Sequence, residues 1–191
     1  MKPQQVSFAC GSLKLEGLYY GVESAGPVPA VVVCHPHPLY GGSMRNNVTY
    51  ALADALVKCG IAALLFNFRG VGRSQGSHGG GIAEQEDVRA ALDWLGPGKG
   101  VDAGRLGLAG YSFGAGVAYP VGCRDERVKA IALVSPYFES IPGEWRLFVT
   151  PEGLTDTLAN LGPIPVDDGQ TWTVYLTDIS DTLAMYGVRD R

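Results

Sequence analysis

The segment that most constrains the fold is Gly110-Tyr111-Ser112-Phe113-Gly114, which directly follows the apolar run Leu106 to Ala109. A glycine at each end allows a sharp reversal of the backbone, because no Cβ atom obstructs the turn. The pattern predicts a buried strand, then a tight turn that lifts Ser112 above the strand end, and then a helix. The N-terminus of that helix would lie beneath the serine.

Unbroken apolar runs elsewhere in the chain predict further buried strands. In chain order the four runs are residues 30–34, 61–66, 106–109 and 131–134. Helical patterns separate them, and the clearest of these covers residues 83–95. This alternation predicts an α/β fold, with a mostly parallel sheet and helices on both faces.

Additional strands are expected near both ends of the chain. Residues 6–9 and 13–19 alternate roughly between apolar and polar side chains, which predicts a pair of strands around the turn at Gly11. Residues 146–150 and 171–177 are the expected last two strands. No linker or repeat is visible, so residues 1–191 are interpreted as a single domain with an atypical C-terminal part.

The composition excludes several classes of function. The chain has 191 residues, of which 46% are hydrophobic and 18% charged, as is typical of a compact domain. A formal net charge of −4 provides no electrostatic reason to expect nucleic acid or an anionic membrane as a partner. Neither a signal peptide nor a membrane-spanning apolar stretch is visible, so a cytoplasmic location is expected.

The cysteines indicate neither a metal site nor a disulfide framework. They are Cys10, Cys34, Cys59 and Cys123, and their spacing is neither pair-like nor ligand-like. We expect reduced thiols, with Cys34 and Cys59 buried. No metal and no organic cofactor is expected.

Two loops predicted at the carboxyl ends of strands complete a recognisable set of motifs. One is His35-Pro36-His37-Pro38 running into Gly41-Gly42-Ser43-Met44, and the other is Asn67-Phe68-Arg69-Gly70-Val71-Gly72-Arg73-Ser74. With the turn at Ser112, they resemble the small cap-less α/β-hydrolases, in particular the esterase-like, dienelactone-hydrolase-related branch. The resemblance covers roughly residues 28–136.

This resemblance implies acyl chemistry on a small-molecule ester substrate. Ser112 would attack an ester or thioester carbonyl and form an acyl-enzyme that water then hydrolyses. The oxyanion would be bound by the backbone N–H of Phe113 and by an N–H of the loop after the first core strand. His37 is the expected second donor, because Pro36 and Pro38 beside it have no N–H.

The general base is the difficulty of this sequence. The family places an acid after the strand that follows Ser135, and a histidine after the last strand. The histidines of this chain are His35, His37 and His78, and all of them precede Ser112. Thr182 takes the place expected for the histidine, and a threonine cannot act as a base near neutral pH. Asp156 is the candidate acid, with Glu152 beside it.

The three histidines have competing interpretations. His78 lies in a glycine-rich loop at the correct edge of the sheet, so it is the candidate alternative base, although it is also interpretable as an exposed loop histidine. His35 and His37 are interpreted mainly as residues that hold their own loop. Either of them is a further candidate base.

Four charged residues near these loops are given structural interpretations. Arg69 and Arg73 are expected to brace the glycine-rich loop rather than to bind substrate. Glu84 and Asp87 lie at the start of a predicted helix, where a carboxylate interacts favourably with the helix dipole.

Three hypotheses about function remain open. The chain is a weakened serine hydrolase with an altered C-terminal portion, or a hydrolase that uses another base, or a protein that acts by binding or assembly on the same fold. In the third case, an exposed apolar sheet edge would favour a homodimer.

Overall fold

The computed structural model describes residues 2–96 and 99–136, together with the backbone of three strands nearer the C-terminus. The strands are β1 (Gln4–Cys10), β2 (Leu13–Tyr20), β3 (Val28–Cys34), β4 (Ala62–Phe66), β5 (Val101–Tyr111), β6 (Val128–Val134), β7 (Ile164–Pro165), β8 (Thr171–Ile179) and β9 (Thr182–Asp190). The helices are α1 (Asn47–Lys58), α2 (Glu84–Trp94) and α3 (Phe113–Arg124), with a short 3₁₀ helix at Pro38–Tyr40.

The described strands form one mixed sheet with a parallel centre. Its order is β1-β2-β4-β3-β5-β6-β9-β8-β7. Strands β4, β3, β5 and β6 pair in parallel, as expected for the four apolar runs, and antiparallel strands extend the sheet on both sides. The predicted α/β fold is confirmed, and the antiparallel strands β7 to β9 account for the atypical C-terminal part.

The chain changes direction within the sheet beside β3. It runs from β3 to β4 on one side, and then returns past β3 to form β5 on the other. The loops that follow β3 and β5 leave in opposite directions at such a point, so a crevice opens between them at the carboxyl edge. This topology brings the loop after β3 close to the turn at Ser112.

Two apolar layers cover the sheet. On one face α2 and α3 pack with the largest cluster of buried residues, and on the other face α1 packs with a smaller cluster around Leu65 and Ala109. All five residues of β4 are buried, as expected for a central strand with helices on both sides. Asn46 caps α1, because its Oδ1 accepts the N–H of Val48 at 2.9 Å.

The cysteine predictions are confirmed in part. All four thiols are free, and Cys34 is buried at the end of β3, where burial raises its pKa. The prediction that Cys59 is buried is wrong. Cys59 lies at the C-terminal cap of α1, where the helix ends at the protein surface and the chain turns through Gly60 with φ +76°.

The C-terminal strands differ from the expectation. Residues 171–177 belong to β8, as predicted, but β8 is not the last strand. Thr182 begins β9, which pairs with β8 as a hairpin and with β6 on its other side. Thr182 therefore does not lie in a loop after the last strand, where the family's histidine was expected. The strand-forming composition of residues 182–188 is the sequence signal that could have predicted this second strand.

Asp156, Glu152 and the predicted strand at 146–150 lie outside the described residues. None of the described helices is long and apolar enough to cross a bilayer.

Candidate functional site

Ser112 lies in a strained turn between β5 and α3. Its backbone has φ 52° and ψ −117°, a conformation that an L-residue other than glycine rarely adopts. Such a residue costs of order 1–3 kcal/mol and persists only where the surroundings hold it. Here the Ser112 N–H donates to Val134 O at 2.9 Å, and Ser112 O accepts the Ala115 N–H at 3.0 Å. The turn is thus tied to both β6 and α3.

The flanking glycines permit this turn, as predicted. A Cβ on Gly110 would lie 2.5 Å from Gly114 O, and a Cβ on Gly114 would lie 2.5 Å from Cys34 O. Neither position has room for a side chain. The N-terminus of α3 therefore packs directly against the carboxyl end of β3.

Two backbone N–H groups near the turn have no acceptor within the described residues. Phe113 is the first residue of α3, where N–H groups have no acceptor within the helix. Within residues 2–96 and 99–136, no acceptor is found for the N–H of Phe113 or for that of His37. The His37 and Phe113 rings are in contact, with centroids 4.8 Å apart.

His35 is a buried structural residue. Its Nδ1 lies 2.6 Å from Pro36 O, and its Nε2 accepts the Phe68 N–H at 3.1 Å. Both ring nitrogens are therefore occupied, with the proton on Nδ1. Burial lowers the pKa of His35 to about 4, because the imidazolium would lose its hydration, although the Pro36 carbonyl partly opposes this shift. The ring ties the loop after β3 to the chain after β4.

His37 also stabilises its own loop. Its Nδ1 accepts the Leu39 N–H at 3.2 Å and so caps the short 3₁₀ helix. Its carbonyl oxygen accepts N–H groups from Tyr40 and Gly42. In the neutral ring the proton therefore lies on Nε2, which then donates rather than accepts.

His78 is not the exposed loop residue that one interpretation expected. Its side chain is 18% exposed, and its ring centroid lies 5.1 Å from that of His37 and 5.4 Å from that of Phe113. Its Nδ1 lies 3.1 Å from Glu84 Oε1. The loop after β4 thus brings His78 against the residue that follows Ser112.

Glu84 and Asp87 do more than interact with a helix dipole. Both are fully buried in α2. Glu84 accepts the N–H groups of Gly79 at 2.7 Å and Gly81 at 2.8 Å. The sequence signal for this role was the glycine-rich loop itself, because its N–H groups need acceptors and the nearest acidic side chains follow within five residues.

Arg69 braces the glycine-rich loop, as predicted. Its Nη2 lies 2.7 Å from Asp87 Oδ1, and its backbone N–H donates to Asp87 Oδ2 at 2.9 Å. This bonding to Asp87 raises the pKa of the guanidinium. Arg73 contributes through its backbone, since its N–H donates to Glu16 Oε1 at 2.7 Å.

A groove of about 460 Å³ opens beside these residues. One wall comes from residues 38–43 after β3, and the other from residues 69–78 after β4, including His78. In the part of the chain that the structure describes, no cluster of His, Cys, Asp or Glu could hold a metal ion. The described residues therefore bring together a strained serine, two N–H groups without an acceptor among them, and the His78 imidazole, which lines the groove.

Solved structures share this architecture. A putative α/β hydrolase from Agrobacterium tumefaciens is 34% identical and has a TM-score of 0.65, with 70% of this chain and 60% of that chain covered. An α/β serine hydrolase without a lid from Xanthomonas campestris is 29% identical and has a TM-score of 0.64, with 84% of this chain and 80% of that chain covered.

Sequence relatives point in the same direction. An uncharacterized protein of Rickettsia prowazekii is 38% identical over 72% of this chain, and a thiohydrolase of Aspergillus aculeatus is 32% identical over 67% of it. The matched regions span 57% and 39% of those two proteins. The sequence profile of the X-Pro dipeptidyl-peptidase (S15) family matches residues 19–162. The chain therefore belongs to this family and has the α/β-hydrolase fold.

Proposed function

We propose that this protein hydrolyses carboxylic esters or thioesters through an acyl-enzyme on Ser112. The observation that carries the proposal is the backbone of Ser112, with φ 52° between the end of β5 and the start of α3. A glycine would adopt this conformation without strain, so a serine there suggests that its hydroxyl is needed. The similarity to a thiohydrolase supports thioesters as part of the substrate class.

The proposed reaction has two stages. Ser112 Oγ attacks the carbonyl carbon while its proton passes to a base. The resulting oxyanion accepts hydrogen bonds from the N–H groups of Phe113 and His37. Collapse of this intermediate breaks the bond to the alcohol or thiol, which leaves with the proton from the base. Water then attacks the acyl-enzyme in the same way and releases the acid.

His78 is the base in this proposal, because the other two imidazoles have competing bonds. Both nitrogens of His35 are occupied within the fold. His37 uses Nδ1 as an acceptor for Leu39 N–H, so its Nε2 holds a proton in the neutral ring. His78 has a ring beside Phe113 and also contributes to the wall of the groove.

Hydrolysis of p-nitrophenyl acetate tests the proposal. We expect Ser112→Ala to lower kcat/KM by about a thousandfold or more, since removal of a triad member leaves only oxyanion and binding effects. Ser12→Ala, in the exposed turn between β1 and β2, is the matched control and should retain the parent rate. Equal rates in the parent and Ser112→Ala would instead favour a protein that acts by binding or assembly.

The leaving group distinguishes the substrate classes. We expect acetyl esters and thioesters to react faster than an Xaa-Pro p-nitroanilide, because an amine must be protonated as it leaves and a phenolate or thiolate need not be. A faster reaction with the anilide would contradict the proposed substrate class and leave the role of Ser112 intact. Mass spectrometry of the quenched reaction should find one acetyl group on the peptide that contains Ser112.

A further inference from the structure

The loop after β4 and the start of α2 hold an imidazole against a buried carboxylate. His78 Nδ1 lies 3.1 Å from Glu84 Oε1, and Glu84 is fully buried. His78 Nδ1 is itself buried and makes no hydrogen bond of full geometry within the described residues. Glu84 Oε1 is therefore the nearby acceptor for a proton on His78 Nδ1.

We propose that Glu84 is the positioning residue of this hydrolase, holding the His78 ring with its proton on Nδ1 and its Nε2 lone pair available to Ser112. This inference rests on the proposed function. It assigns the base and its carboxylate to the loop after β4 and to α2, where the cap-less hydrolases would have residues from later in the chain. Glu84 could hold the loop through the N–H groups of Gly79 and Gly81 alone, so the imidazole of His78 beside it is not needed for that purpose.

The carboxylate is held firmly enough to orient a ring. Its two oxygens accept the N–H groups of Gly79 and Gly81, on either side of the loop's bend. It also lies in the first turn of α2, where the helix dipole accommodates negative charge. Rotation of the carboxylate would break both hydrogen bonds, so the position of Oε1 beside His78 is determined by the loop.

The ring is confined from its other sides. His37 and Phe113 both lie within 5.4 Å of it, centroid to centroid. Gly81 packs closely on Phe113, because a Cβ at Gly81 would lie 3.4 Å from the Phe113 ring. The contact between Nδ1 and Glu84 does not meet the geometry of a full hydrogen bond, and the hydrogen bonds of catalytic groups often tighten only when substrate binds.

Several charged and titratable groups surround His78. Glu84 faces Nδ1 from α2, and His37 faces the ring from the loop after β3. Arg69 interacts electrostatically with Glu84, but its guanidinium forms an ion pair with Asp87. From α3 the neighbour is the uncharged Phe113. Glu84 is thus the negative charge in direct contact with the imidazole.

Replacement of Glu84 by glutamine tests the inference. We expect kcat to fall by about tenfold or more with KM little changed, because the wrong tautomer is then favoured. Asp87→Asn is the matched control, because it alters a buried carboxylate one turn along the same helix, and this carboxylate contacts Arg69 and not His78. It should leave the tautomer of His78 unchanged.

Nitrogen NMR of the imidazoles provides a readout that does not depend on turnover. The chain has only three histidines, so single substitutions assign their signals. In the parent, neutral His78 should be protonated on Nδ1, and this preference should weaken in Glu84→Gln. If Glu84→Gln does not fold, Glu84→Asp keeps the charge with a shorter side chain, and should show the same loss of tautomer preference.

The two proposals fail in distinguishable ways. Activity that survives in Ser112→Ala would overturn the proposed function. Activity that requires Ser112 and His78, with an unchanged kcat and an unchanged His78 tautomer in Glu84→Gln, would overturn the role of Glu84 alone.

Discussion

At the scale of single residues, Ser112 combines two properties that rarely coincide. It is one of two non-glycine residues with positive φ in the described part of the chain, and the other is Ser135 at the end of β6. Its neighbours Gly110 and Gly114 cannot accept a side chain without a backbone shift. The strain at Ser112 is therefore imposed by close packing of β5, α3 and β3, and the serine tolerates it.

Ser112→Gly measures this strain. Glycine adopts the turn without a Cβ clash, but it has more freedom in the unfolded chain, which offsets part of the gain. We expect Ser112→Gly to exceed Ser112→Ala by about 1 kcal/mol in free energy of unfolding, measured by urea denaturation. Both variants should lack esterase activity. A Gly variant no more stable than the Ala variant would mean that the turn is unstrained.

At the scale of elements, the start of α2 organises the whole glycine-rich loop. Glu84 accepts its N–H groups, and Asp87 binds Arg69 and accepts the Cys10 thiol at 3.4 Å. Burial and the Asp87 contact raise the pKa of Cys10 to about 11, so this thiol stays protonated near neutral pH. The helix thereby connects strand β1 with the loop after β4.

Asp87→Ala tests this connection. The substitution leaves the largely buried Arg69 guanidinium without its partner, and we expect a loss of about 3 kcal/mol in free energy of unfolding. The control is Asp54→Ala, which removes the exposed pair with Lys58 on α1 and should leave stability unchanged within error. Equal effects of the two substitutions in urea denaturation would contradict the bracing role of Asp87.

At the scale of the whole molecule, the sheet topology decides where the chemistry lies. The loops after β3, β4 and β5 meet at the carboxyl edge, beside the point where the strand order reverses. His35 joins two of these loops from within the core. Its protonation state is therefore coupled to the stability of the fold.

The stability of the molecule should fall on the acidic side because of His35. Its pKa is lowered from 6.5 to about 4 in the folded protein, so below about pH 6.5 the unfolded chain takes up a proton that the folded chain does not. The contribution is fully present above the unfolded pKa and is lost as the pH falls toward 4. We expect a loss of roughly 1 kcal/mol per pH unit in this window.

Urea denaturation at about pH 7.5 and about pH 5 measures this loss, with His35→Gln for comparison. The variant should be less stable at the higher pH, but its stability should depend less steeply on pH. Any pH dependence that the two proteins share cancels in this comparison, so only the difference between the two slopes is assigned to His35. Parallel slopes would show that His35 is not the group responsible.

Much of the fold was predictable because its signals are local. The apolar runs identify β3 to β6, and the glycine spacing predicts the turn at Ser112. The end of the chain was less predictable, because the hairpin of β8 and β9 depends on pairing with β6, a strand more than 40 residues earlier. The sequence did not predict that Glu84 and Asp87 bind the glycine-rich loop, because these contacts depend on how that loop packs against α2.

By itself, the sequence determined the strand, turn and helix around Ser112, because apolar periodicity and two glycines act within a few residues. Only the tertiary structure decided which imidazole nitrogens are hydrogen-bonded within the fold and which carboxylate faces His78. The physical reason is distance along the chain: Phe113 and His78 are brought together by the order of strands in the sheet, and no local pattern encodes that contact. The same order buries His35 between two loops and leaves His78 beside the residue that follows Ser112.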